Sequence, residues 1–132
     1  MRLFAALLLT ASAVFTPVPQ AFAQAQPVPL VTAEKPLMII RFNQRTVYYS
    51  KALYMAVSRA VDTKADVQFT LTSLIPQTGD RSRDKRAGQL AEMHIRQVMR
   101  EMQGMGVPAG RVNVTQEFSS VLDYDEVHIR AY

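Results

Sequence analysis

Two apolar stripes at helical spacing, set among shorter runs that alternate apolar and polar residues, leave this chain little choice of architecture. Leu53, Val57 and Val61 fall at i, i+4 and i+8 of "SKALYMAVSRAV". Ala91, Ile95, Val98, Met102 and Met105 form a longer stripe over 87–105, with Leu90 and Met99 at its margins. "PLMIIRFN" reads as a buried strand, and "VQFTLTSL" places Val67, Phe69 and Leu71 on one face. "RVNVTQEF" offers Val112, Val114 and Phe118 to a core, and "EVHIRAY" alternates Val127, Ile129 and Ala131 with His128, Arg130 and Tyr132. The expected order is β-α-β-α-β-β. The fold class is α+β, with two helices packed on one face of a four-stranded mixed sheet, because that layering buries both stripes. Ser50 is expected to N-cap the first helix, Asp62 to Asp66 to end it, and "IPQTGDRSRDKR" to form a polar loop before the second helix begins at Ala87. The strand ending at Tyr132 is expected at a sheet edge.

The start of the chain is not fold material. Arg2, the apolar run from Leu3 to Phe15 and the small-residue pattern Ala21-Phe22-Ala23 read as a cleaved export signal over 1–23. At about 1.5 Å per residue, that run falls short of the roughly 30 Å of hydrocarbon in a bilayer. Residues 24–36, with Pro27, Pro29 and Pro36, read as an extended tether, and the folded domain as 37–132. The expected location is the periplasm, with no membrane span in the mature form. The chain has no cysteine, so neither a disulfide nor a lipid-bearing cysteine is available and the domain must hold by its core. Without Arg2 the balance is 14 basic against 11 acidic residues, or +3, too mild to suggest nucleic acid.

The stretch "GMGVPAGRVNV" joins the second helix to the third strand. Gly104 or Gly106 is placed to stop the helix, Pro108 lacks the N–H needed to continue it, and Arg111 is expected to begin the strand. Gly106, Val107, Pro108, Ala109, Arg111 and Val112 match the G-[VI]-P-A-x-R-[IV] junction of OmpA-like domains, the periplasmic peptidoglycan-associated modules, and the element order of 37–132 is similar to theirs. Arg41, Phe42 and Asn43 resemble that family's first-strand opening. The resemblance implies an envelope-binding module, in which an Asp and an Arg hold the ammonium and carboxylate of diaminopimelate in the peptidoglycan stem peptide. Both charges are missing here. The Gly-His-Thr-Asp positions read Leu71, Thr72, Ser73 and Leu74. On the second helix Leu90, Glu92 and Val98 match, but the Arg position is His94 and the next is Ile95. Asp125 and Glu126 stand where the family often has paired Arg before the last strand.

The expected ligand cleft is bordered by Leu74, Asp80 and His94, with Arg81, Arg83, Asp84, Lys85 and Arg86 as a charged rim. His94 is read either as a pH-sensitive replacement for the Arg or as a tolerated, partly buried helix residue. Asp80 or Asp84 beside His94 would restore a charged pair. Asp123, Asp125 and Glu126 read as a turn. His94 and His128 stand on separate elements without an acid at i+3 or i+4, so no metal or other cofactor is expected. No nucleophile–base constellation can be assembled, and a non-enzymatic role follows. The expected function is a cell-envelope binding or scaffold module with weakened or lost diaminopimelate recognition, its partner being peptidoglycan. The alternative is a protein-docking subunit of an envelope secretion or trafficking assembly, which the Met-rich second helix and the last strand suggest. An unrelated ferredoxin-like module with the same element order stays open.

Overall fold

Val127 and Ile129 are fully buried while His128 between them is half-buried, the signature of a strand with a core on one face. This strand organises the rest. The structure, a computed structural model, describes residues 35–132, so the export signal and all but the last two residues of the tether lie outside the described residues. The elements run β1 (Met38–Arg41), α1 (Ser50–Thr63), β2 (Phe69–Pro76), α2 (Arg81–Gly104), a short 3-10 turn (Ala109–Arg111), β3 (Val112–Ser119) and β4 (Glu126–Ala131). They form one four-stranded mixed sheet in the order β1-β4-β2-β3, with an α+β arrangement of two helices. β4 is therefore central and not an edge: it lies antiparallel between β1 and β2, while β2 and β3 are parallel.

Both helical stripes pack on one face of this sheet. Leu53 and Val57 of α1 and Ala91, Ile95, Val98 and Met102 of α2 are buried, and most of them join Ile40, Phe69, Leu71, Val127 and Ile129 in one core cluster. Val61 and Leu90, at the margins of their stripes, are exposed. The other sheet face is polar. There Glu126 accepts from Arg41 Nε at 3.1 Å and pairs with His128 Nε2 at 2.8 Å, and the hydroxyls of Thr72 and Thr115 meet at 2.9 Å.

Several local expectations change. α2 starts at Arg81, so 81–86 is helix and not loop. The six charged or polar residues of that first stretch hide the helical period, but Asp80 caps it by accepting from the backbone N–H of Ser82 and Arg83 at 2.9 and 3.0 Å. α1 is capped at Tyr49 without a side-chain bond, and Ser50 is its first helical residue. β3 is an edge strand, and although Val114 and Phe118 lie on the helix side of the sheet they are exposed, so the helix layer does not enclose this edge. Among the described residues no helix is long and apolar enough to cross a membrane.

The helix-to-strand junction follows hydrogen-bond logic. Gly106, at φ +93, takes the left-handed position after α2. Val107 N–H donates to Met102 C=O at 3.1 Å and Gly106 N–H to Gln103 C=O at 3.0 Å, the paired bonds of a Schellman cap. Val107 and Met102, the two positions whose apolar side chains usually accompany such a cap, are both buried members of the core cluster. Arg111 lies in the 3-10 turn and does not begin the strand; its guanidinium donates to the Ala65 carbonyl at 2.7 Å, tying the junction to the turn after α1.

Candidate functional site

Strand direction decides where side chains converge. β1 and β2 are each antiparallel to β4, so they run parallel to one another, and β3 runs parallel to β2. The β1–α1, β2–α2 and β3–β4 connections therefore all lie at the carboxyl ends of β1, β2 and β3, the end at which open α/β sheets present their crevices. A cleft of about 650 Å³ opens there. Phe42 and Arg45 come from the first connection, Thr78 from the second, Arg83, Leu90, Met93 and His94 from α2, and Asp123, Tyr124 and Asp125 from the third.

At its base three elements lock together. His94 Nδ1 lies 2.8 Å from Asp125 Oδ2, with the two side chains 18% and 7% exposed. The Phe42 ring stacks on the imidazole with centroids 3.9 Å apart and planes 4° from parallel, and Phe42 N–H donates to the Asp125 carbonyl at 3.0 Å. Tyr49 packs edge-on against Phe42 at 5.9 Å. Its hydroxyl is buried without a hydrogen-bond partner, so burial first, and then the nearby Glu101 carboxylate, holds the phenol above its ordinary pKa.

The predicted site residues divide accordingly. His94 and Arg83 line the cleft. Leu74 does not: it is half-buried on β2, between Glu126 and Glu117 on the face away from the helices. Asp80 caps α2, and Asp84 accepts from Thr78 N–H at 2.7 Å, Thr78 Oγ1 at 2.8 Å and Gly79 N–H at 3.1 Å. These bonds, led by the Thr78 amide, hold the Asp84 carboxyl below the usual carboxylate range. Neither acid reaches His94. Arg81, Lys85 and Arg86 are exposed on the first turns of α2 and do not line the cleft.

The acid beside His94 is Asp125, one of the residues read as a turn. Asp125 and Glu126 point to opposite faces at the start of β4, and each meets a histidine: His94 on the helix side, His128 on the other. Sequence spacing does not reveal this, because Asp125 is 31 residues from His94. Arg45 belongs to no motif, and the signal that marks it is its place in the strand-to-helix connection at the carboxyl end of β1.

Electrostatically, the His94–Asp125 pair satisfies itself, and the carboxylate is committed to the ring. Among the described residues no carboxylate lies within ion-pair distance of Arg45 or Arg83. The cleft thus offers two guanidiniums, the Asp123 carboxylate and an apolar wall of Leu90, Met93 and Leu122. Such a set can hold an anionic group bidentately against an apolar surface. Among the described residues no group of three or more His, Asp or Glu side chains is placed to hold a metal ion. No protein-family model matches the chain, and no curated protein matches it.

Proposed function

We propose that this chain is a non-enzymatic, periplasmic cell-envelope binding module of OmpA-like fold in which diaminopimelate recognition is weakened or lost. One observation carries the reading. At the helix position where the resembled family places its ligand-binding Arg stands His94, and its imidazole is held by Asp125 and stacked on Phe42. A zwitterion needs a fixed cation and a fixed anion that are both available. Here the anion nearest His94 is held by the ring, and the wall's other charges, Arg45 and Arg83 against the single carboxylate Asp123, leave a cationic excess. The cleft therefore favours an anionic group of the envelope over the diaminopimelate zwitterion. The junction residues Gly106 to Val112 and the element order support the family reading.

Pull-down of the full chain with insoluble peptidoglycan over a salt series tests this. Retention should be weak, should fall as salt rises and should not be competed by free diaminopimelate. Salt-resistant retention that diaminopimelate competes away would contradict it.

The docking alternative has its own support in the exposed Leu90 and Met93, which form an apolar wall of the cleft on α2. On that reading an acidic, apolar protein segment occupies the cleft. Cross-linking in cells through position 93 that captures no protein would count against it.

A further inference from the structure

β3 is the longer edge of the sheet, and its outer side has little to deter pairing. Edge strands are usually blunted by lysine, proline, a bulge, short length or a covering element. Val112–Ser119 is eight residues long, contains no lysine or proline, and has Glu117 as its only charged side chain. The opposite edge, β1, has four residues and ends at Arg41, whose guanidinium is held by Glu126. On β3, Val114 and Phe118 lie beside Leu71 and Ile75 on the helix side of the sheet, yet they remain 37% and 65% exposed.

We propose that β3 pairs antiparallel with β3 of a second copy about a two-fold axis perpendicular to the sheet, joining the two sheets edge to edge. Such an axis keeps both helix layers on the same side. Antiparallel partners share a face, so each residue must pair with one an even number of positions away. The register centred on Gln116 meets this condition with complementary chemistry. Val114 faces Phe118 of the second copy, Phe118 faces its Val114, and Gln116 faces Gln116. On the other side of the sheet Thr115 faces Glu117. Centring on Thr115 would set Val114 against Gln116, and centring on Glu117 would bring two carboxylates face to face. This self-complementarity selects a second copy over an unrelated strand, as an isologous contact requires. The helices leave β3 uncovered, so two adjacent β3 strands, at about 4.8 Å spacing, separate the helix layers and floor the channel between them with the Val114–Phe118 pairs. One strand pair is small beside the roughly 1,200–2,000 Å² of a standard interface, so association should be reversible and concentration-dependent.

The test uses the full chain, which has no cysteine of its own. Directly opposed Cα atoms lie about 4.5–5.5 Å apart, within disulfide reach. Under mild oxidation Gln116→Cys should form a covalent dimer readily. Thr115→Cys, whose counterpart is displaced two residues along the strand, should form far less. Sedimentation of the unmodified chain should show a mass that rises with concentration. Phe118→Lys, a change at an exposed site, should remain monomeric with an unaltered far-UV spectrum. A chain that stays monomeric at every concentration overturns the proposal. So does a dimer that persists in Phe118→Lys, or one in which positions 115 and 116 cross-link equally.

Discussion

His94 owes its place to residues that no local pattern connects to it. An imidazole on the margin of an apolar helical stripe signals an unusual position, and the sequence marks it for that reason. Its partner Asp125 is legible only once β4 is known to run between β1 and β2, which brings the start of β4 beside the end of β1. Asp125→Ala should leave a mostly buried ring nitrogen unpaired and cost about 1–3 kcal/mol in urea unfolding, whereas Asp123→Ala should fall within about 0.5 kcal/mol. Asp84 belongs to the α2 start and not to the cleft, and its depressed pKa sets a pH signature. A carboxyl lowered in the folded state contributes stability above its unfolded pKa of about 3.9, and that contribution is lost as pH falls through the folded value. Asp84→Asn should melt below the unmodified chain at pH 7, with the gap closing as pH falls below about 4. A gap that stays constant down to pH 2 would show that the carboxylate's charge is not what holds the turn.

Among the elements, a clean hydrophobic period marks the residues that face the core, and polar residues at an element's start mask it. The stripe Ala91, Ile95, Val98 and Met102 is buried as its spacing implies. The first six residues of α2, among them four cations and Asp84, contribute nothing to that stripe, and only the cap at Asp80 reveals that the helix has already begun. β3 fails in the opposite sense. Val112, Val114 and Phe118 alternate correctly, but alternation records which face a residue shares and not whether a helix covers that face. The junction is the most legible element, since a glycine two positions beyond the last helical residue and a proline after it imply the reversal observed. Gly106→Ala should destabilise by about 1 kcal/mol or more, because an alanine is strained at φ +93. Gly104→Ala, inside the last turn of α2, should be neutral or stabilise by up to about 1 kcal/mol. Thermal or urea unfolding of the pair distinguishes the two sites, and equal losses would refute the assignment of the reversal to Gly106.

At the scale of the whole molecule, layering followed from periodicity and strand order did not. Two helical stripes and four apolar strand faces leave little but a two-layer α+β stack. Which strand sits centrally is a matter of which buries most, and Val127 and Ile129, fully enclosed, place β4 inside rather than at the edge expected of it. That insertion builds the cleft: it carries Asp125 to His94, turns Glu126 to the opposite face, and gathers the connections that supply Arg45 and Asp123 beside Arg83 of α2. The molecule is thus organised around a hydrogen-bonded imidazole–carboxylate pair in a cation-bearing cleft. The measurement that bears hardest on this is an NMR titration of the isotope-labelled full chain with diaminopimelate and, separately, with a soluble anionic peptidoglycan fragment. The expected result is no saturable shift at His94 or Asp125 with diaminopimelate, and salt-sensitive shifts at Arg45 and Arg83 with the fragment. Saturable, salt-resistant binding of diaminopimelate centred on His94 would contradict it.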